Sequence, residues 1–282
     1  MYIYEKNDEL YDFIVKELKS FFQETGFNKA IIGLSGGIDS SLVACMTVDA
    51  IGKDNVLGIT MPSPYSSRES INDSKKLAHN LGIEFGIIEI SNILEKYKEI
   101  EELFTEEVSL VEENLQARIR ANILMAYANH RQALVVNTCN LTEDILGYAT
   151  LYGDAIGAIS PLGNVGKLKV YELAKYRNTL SNVIPENCFT KKPSAELRPN
   201  QTDEDSIGYP YEILDPLSFK IWKYVRSFKK LNTKQNLIKK CNLIKKCIEY
   251  GYERETVYKI LEMAEKNVYK MKQSPPAIKC LD

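Results

Sequence analysis

The sequence lacks the features that mark membrane, secreted and metal-cluster proteins. Its longest apolar runs, such as Ala133 to Val136, fall far short of the roughly 20 residues that a bilayer-spanning helix needs. The opening MYIYEKNDEL has neither the basic flank nor the apolar stretch of an export signal, so no leader is expected. Six cysteines, at 45, 139, 188, 241, 247 and 280, form no CxxC pair and no zinc spacing. They are expected to be reduced thiols in a cytoplasmic protein. Histidine is scarce: His79 and His130 lie in helical segments without other ligand types around them, which argues against histidine-based catalysis. An excess of one charge is also missing, with 36 Lys+Arg against 38 Asp+Glu and a net charge of −2. No global field therefore draws the chain to nucleic acid or to anionic lipid. What is present, 44% hydrophobic and 26% charged residues, is an ordinary globular composition and excludes disordered and collagen-like classes. The 282 residues suffice for a large buried core.

Apolar spacing along the chain alternates between the helical and the strand period. Leu10, Phe13, Ile14, Leu18, Phe21 and Phe22 predict an amphipathic helix ended by Gly26. Strands are expected at 29–34, 56–60, 83–90 and 133–137, and helices at 40–51, 67–81, 91–104 and 109–130. Strands that alternate with helices of this length imply crossover connections. The expected fold class is α/β, a doubly wound parallel sheet flanked by helices. Past residue 160 strand signals stop. A helix is expected at 167–182, then a stretch with Pro185, Pro193, Pro199 and Pro210 runs to about Asp215, too long for an idle connector and expected to be a lid. Helices follow to about Lys272, before Pro275-Pro276. One domain is expected over 1–282, with a nucleotide-binding core at 1–160 and a lid loop and helical extension at 161–282. Asn236 to Cys241 recurs as Asn242 to Cys247, a period too short for a solenoid.

The most informative segment is Gly33-Leu-Ser-Gly-Gly-Ile-Asp-Ser-Ser41, between the first strand and its helix. Open parallel sheets bind ligands at the carboxyl ends of their strands, and a helix N-terminus there offers free N–H groups to phosphate oxygens. Gly36 and Gly37 let the backbone approach an anion, and Ser35, Ser40 and Ser41 add hydroxyl donors. Asp39 would repel phosphate unless a divalent cation lay between them, and Mg²⁺ takes one or two carboxylates together with phosphates. The plain alternative is a Gly-rich turn with a Ser/Asp cap. The spacing fits neither the Walker A loop nor GxGxxG.

SGGIDS resembles the pyrophosphate loop of the N-type ATP pyrophosphatases, whose fold is adenine nucleotide alpha hydrolase-like. Met61-Pro-Ser-Pro-Tyr-Ser-Ser67, Glu113-Asn-Leu-Gln-Ala-Arg-Ile-Arg120, Gly147-Tyr-Ala-Thr-Leu-Tyr-Gly-Asp154 and the box from Pro193 to Asp205 narrow the resemblance to the NAD synthetases. It runs from the first helix to about Lys279. It implies ATP-dependent amidation of deamido-NAD to NAD by ammonia, through an acyl-adenylate, with release of AMP and pyrophosphate. By the same resemblance, Gly33, Leu34, Ser35, Gly36, Gly37, Ile38, Asp39, Ser40, Thr138, Lys167 and Ser194 bind ATP. Asp39 and Glu143 hold Mg²⁺, and Lys167 joins them in catalysis. Asn114, Arg118, Glu143, Tyr148 and Lys270 contact deamido-NAD. A homodimer is implied, with the dinucleotide near the subunit interface.

Each assignment has a bland counterpart: solvated helix positions for Arg118 and Arg120, a helix N-terminal carboxylate for Glu143, a solvated tail for Lys270. Cys139 lies beside Thr138 without a paired His or second Cys to make it a nucleophile. Leu141, Leu151 and Ala158 depart from common family residues, and GYATLYGD and EENLQAR lean to the glutamine-dependent branch. Only 34 residues precede Ser35, so no fused glutaminase domain is expected. Free ammonia or a separate amidase subunit would supply the nitrogen. The rival enzyme is another pyrophosphate-loop protein acting on tRNA, and the rival non-enzyme is a nucleotide sensor. Residues 216–248 hold ten Lys/Arg and no acid, against an acidic 84–113, which favours a solvated helical face and a small anionic substrate over a nucleic acid.

Overall fold

The computed structural model describes residues 2–104, 108–227 and 233–281. In chain order its first half comprises α1 (Asn7–Thr25), β1 (Ala30–Gly33), α2 (Ile38–Ile51), β2 (Val56–Thr60), α3 (Arg68–Leu81), β3 (Glu84–Ile87), α4 (Ser91–Lys98), α5 (Leu110–Arg131) and β4 (Leu134–Val135). Helices α6 (Leu141–Leu146), α7 (Lys167–Leu180), α8 (Asn187–Thr190), α9 (Asp203–Ile207), α10 (Tyr211–Ser227), α11 (Thr233–Glu249) and α12 (Arg254–Met271) follow.

The four strands are parallel, in the order β3-β2-β1-β4, with Ala30 opposite both Val56 and Leu134. The period-2 alternation of β1 feeds two cores. Ala30 and Ile32 pack with α1, α2, α3 and α7, while Ile31 packs on the opposite face with Leu94 of α4 and Ile119, Leu124 and Ala128 of α5. Helices on both faces make this the doubly wound class expected. Helix α1 turns Leu10, Tyr11, Ile14, Leu18 and Phe22 to the core and stops at Gly26, whose φ of 75° is the left-handed cap that glycine adopts without strain. Ser67 and Ser109 cap α3 and α5 by accepting from the amides of Ser70 and Glu112.

Several boundaries differ from expectation for local reasons. Helix α2 starts at Ile38, because Gly37 is extended and its carbonyl accepts the Ser41 amide at 3.2 Å and hydroxyl at 2.7 Å. Asp39 therefore stands in the first helical turn. The expected 133–137 strand shortens to β4, and the sheet edge continues through single bridges, Val136 to Ile159 and Ser160 to Ala277. The expected helix over 91–104 ends at Lys98, with a 3-10 turn at Glu101–Leu103. The proline-rich stretch is broken by α8 and α9, and α10 begins before Pro216. That proline forgoes one bond, to the Glu212 carbonyl, near the helix start.

Helices α6, α9, α10, α11 and α12 share a separate apolar core built on Leu214, Leu217, Ile221, Val257, Ile260 and Leu261. The duplicated segment lies inside α11, where Lys240 pairs with Glu265 at 2.7 Å. Lys220, from the same basic stretch, stands over the Tyr250 ring at 3.4 Å. No helix among the described residues is long and apolar enough to cross a membrane.

Candidate active site

The carboxyl ends of β1, β2 and β4 open onto a cleft of about 410 Å³. On one side stands the loop between β1 and α2. Leu34 extends the ladder by donating its amide to the Ile59 carbonyl at 2.8 Å, and the chain then turns sharply at Gly36, with φ 75°. A Cβ on Gly36 would lie 2.2 Å from the Ser70 carbonyl oxygen, so both the turn and the close approach require glycine there. The hydroxyls stitch the loop: the Gly37 amide donates to Ser35 Oγ at 3.2 Å, and Ser35 and Ser40 share a hydrogen bond of 3.0 Å. The outcome is a rigid turn that presents the α2 N-terminus to the cleft.

Facing the loop is a buried charge cluster. Lys167, 3% exposed, ion-pairs with Asp39 and lies 3.5 Å from Glu143. Burial alone would lower the lysine pKa, but the carboxylates of Asp39, Glu143 and Asp203 outweigh it and hold the ammonium above the ordinary value. Burial pushes the Glu143 carboxyl upward, with Lys167 opposing and Asp39 reinforcing. Asn140 sets this geometry. It caps α6 in a reciprocal box with Glu143 and donates Nδ2 to Asp39 Oδ1 at 2.9 Å. Lys167 is the first residue of α7, and Asp215 from α10 caps that helix. Its carboxylate accepts the amides of Lys167 at 2.7 Å and Leu168 at 3.2 Å, and the hydroxyl of Thr142. Gly166 makes room, since a Cβ would lie 2.4 Å from Asp215 Oδ1.

The opposite side of the cleft is built by α5, the segment after α6, the 191–203 segment and α12. Asn114 Oδ1 accepts the Thr150 hydroxyl at 2.7 Å. Lys270 donates to the carbonyls of Gly147 and Ala149 at 2.8 and 2.9 Å. Ser194 donates its hydroxyl to the Gln201 carbonyl at 2.6 Å. Glu196 ties the same segment to α3, accepting Ser67 N at 3.1 Å, Ser67 Oγ at 2.8 Å and Ser70 Oγ at 2.7 Å. Gly33, Leu34, Ser35, Gly37, Ile38, Asp39, Ser40, Asn114, Thr138, Glu143, Tyr148, Lys167, Ser194 and Lys270 thus line one cleft. Gly36 lies behind the lining and shapes it. Arg118 stands outside the cleft, exposed, and donates Nε to the Leu151 carbonyl at 3.2 Å. Its neighbour Arg120 lines the cleft instead. Cys139 borders it too, and burial beside Asp154 and Glu143 pushes its thiol well above the usual value, which disfavours the thiolate a nucleophile needs. His79 and His130 are exposed in the last turns of α3 and α5.

A family model described as NAD synthase matches residues 10–274. The chain belongs to the NAD synthase family. Its relatives include both branches. The glutamine-dependent NAD(+) synthetase of Aquifex aeolicus is 46% identical over 275 residues, 96% of this chain and 45% of that protein. The NH(3)-dependent NAD(+) synthetase of Fusobacterium nucleatum is 40% identical over 213 residues, 76% of this chain and 80% of that protein. The chain spans about half the length of the glutamine-dependent relatives it matches. Among solved structures, the NMN synthetase of Francisella tularensis superposes with a TM-score of 0.75 at 28% identity, covering 94% of this chain and 96% of that one.

Family membership raises the question of Mg²⁺, and the donor set fits it in part. Asp39 and Glu143 both reach the Lys167 ammonium, so their carboxylates stand close together, and carboxylate oxygen is the ligand type this hard cation takes. Among the described residues no group of three or more His, Cys, Asp or Glu gathers to complete a shell. Phosphate oxygens and water would therefore supply the rest, as is usual for Mg²⁺ at nucleotide sites. Sequence reasoning missed Asn140, Asp203, Asp215 and Arg120. Asn140 was findable, because Asn-x-x-Glu is a capping-box spacing. Asp203 lay inside the Pro193–Asp205 box without being singled out, and Asp215 carried no local signal, since it acts on residues remote in the chain.

Proposed function

We propose that the chain amidates deamido-NAD to NAD with ammonia, spending ATP through an acyl-adenylate and releasing AMP and pyrophosphate. The observation that carries this reading is the Asp39–Lys167–Glu143 cluster set against the Gly-rich turn at the end of β1. A carboxylate resists ammonia because oxide is a poor leaving group. Transfer of its oxygen to the α-phosphorus of ATP replaces oxide with AMP, and the α–β phosphoanhydride bond breaks. Ammonia then attacks the acyl carbon, AMP leaves, and the surplus proton passes to solvent.

The chain's own groups perform positioning and charge stabilisation. The α2 N-terminus and the hydroxyls of Ser35 and Ser40 bind the departing pyrophosphate, and Lys167 neutralises the charge that develops on it. Thr138 and Ser194 hold ATP at the carboxyl end of β4 and beneath the 191–203 segment. Asn114, Tyr148 and Lys270 orient the deamido-NAD end. Mg²⁺ bound by Asp39 and Glu143 would supply charge neutralisation across the phosphates. The proline-rich 185–212 stretch, latched to α3 by Glu196, serves as the lid that keeps water from the adenylate. Arg118, outside the cleft of its own chain, fits a role across a homodimer interface. Ammonia comes free or from an amidase, and the protein works in the cytoplasm.

A second substrate is favoured by the Francisella structure, an NMN synthetase that matches this chain over nearly its whole length. The mononucleotide counterpart would pass through the same adenylate. The test is purified protein with ATP, Mg²⁺, ammonium and either deamido-NAD or nicotinate mononucleotide, with AMP and the amidated product followed together. NAD formed with equimolar AMP is expected. Product only from the mononucleotide would transfer the assignment, and neither product would end both.

A further inference from the structure

Three cleft cations, Arg120, Lys191 and Lys192, have no task in the mechanism above, and Arg120 is the one held on α5. Its Nε donates to the Met61 carbonyl at 2.9 Å, which fixes the plane of the guanidinium. Among the described residues its two terminal nitrogens have no hydrogen-bond or ion-pair partner, and they are not sealed from the cleft. Burial pushes its pKa down to about 10; Asp154 and Glu196 oppose that shift, yet neither comes within ion-pair distance. Arg177 shows the usual solution in the same fold: Asp49 meets its fork at 2.7 and 3.0 Å. A half-buried guanidinium without such a partner leaves its fork free, and a ligand anion is the natural counter-charge.

Its place in the cleft selects the anion. Along α5 the lining runs from Leu110 and Glu113 through Asn114, Ala117, Arg120 and Ala121 to Leu124. Leu124 lies 3.3 Å from where a Gly33 Cβ would stand, so this end of α5 abuts the start of the loop. Arg120 therefore stands between the loop, which takes the departing pyrophosphate, and Asn114, which faces the acceptor. We propose that Arg120 binds the phosphoryl group that stays with adenosine, the α-phosphoryl of ATP and then of the adenylate. This rests on the adenylation reading. A guanidinium fork meets two non-bridging phosphoryl oxygens at once, which a lysine cannot do.

The test compares wild type, Arg120→Met and Arg120→Lys by thermal melting, alone and with ATP, AMP, adenosine or Mg²⁺-pyrophosphate, and by calorimetric titration with AMP. Arg120→Met is expected to melt within a few degrees of wild type without ligand, because it loses one hydrogen bond, to the Met61 carbonyl, and sheds a half-buried cation whose fork has no partner. Its pyrophosphate shift should persist, while its AMP shift falls to that of adenosine and AMP affinity drops about ten- to a hundredfold. Arg120→Lys should fall between the two. An Arg120→Met protein that melts several degrees lower yet binds AMP like wild type would make Arg120 structural and overturn the assignment. A wild type that AMP and ATP both leave unmoved would overturn the adenylation reading itself.

Discussion

Replacing Lys167 by methionine tests the charge cluster most directly. The change keeps the buried stem but removes the ammonium, leaving Asp39 and Glu143 to face one another. At 3.5 Å and an effective dielectric near 20, the Lys167–Glu143 pair carries roughly 5 kcal/mol of attraction and the closer Asp39 pair more, most of it offset by the desolvation of three charges. The whole cluster therefore contributes little net stability, yet breaking it is costly. Deleting one partner of a buried pair typically destabilises by about 3–5 kcal/mol, because the charges left behind are uncompensated. For a chain of this size that corresponds to a fall in melting temperature on the order of 10 °C. Two further readouts separate electrostatics from packing. Mg²⁺ should stabilise Lys167→Met more than wild type, since a cation replaces the missing ammonium. Adding Asp39→Asn to Lys167→Met should restore part of the loss, because the repulsion between carboxylates is then relieved. In the amidation assay, kcat should fall at least about a hundredfold, the usual effect of removing one transition-state charge donor. A Lys167→Met protein that melts within about 2 °C of wild type, with no extra response to Mg²⁺, would refute the reasoning.

Other consequences follow from single contacts. Gly36→Ala places a Cβ against the Ser70 carbonyl at a φ of 75° and should cost about 2–4 kcal/mol in urea unfolding, with ATP binding lost. Asp215→Ala strands the amides of Lys167 and Leu168 and the Thr142 hydroxyl; a loss of roughly 2–4 kcal/mol is expected, less for Asp215→Asn, which can still accept. Glu196→Ala releases the 191–203 segment from Ser67 and Ser70, so KM for ATP should rise several-fold and more AMP than NAD should form as water reaches the adenylate. Equal yields of AMP and NAD from that variant would show that the latch does not guard the intermediate.

The sequence disclosed what depends on neighbours in the chain and hid what depends on neighbours in space. The Gly-rich turn and the strand–helix alternation are local patterns, and they placed β1, α2 and the cleft correctly. Single bridges at Ile159 and Ala277 leave no periodic trace, which is why the sheet edge beyond β4 was illegible. Arg118 and Arg120 of α5 show the distinction at finer grain. Asn114 and Arg118 are four apart and share a flank of the helix, and the family resemblance assigned both to deamido-NAD. Yet the face that lines it is marked by Leu110, Glu113, Ala117, Ala121 and Leu124. At about 100° per residue that face centres on Ala117, with Asn114 on one margin, Arg120 some 60° away on the other, and Arg118 about 100° round towards Leu151. The small side chains at 117 and 121 were the readable sign, since a helix packed against a ligand cleft keeps alanine where its backbone approaches most closely. A face is therefore better located from the full set of small and apolar positions than from one polar pair. On α5 that rule places Arg120 on the cleft margin and Arg118 beyond it, towards Leu151.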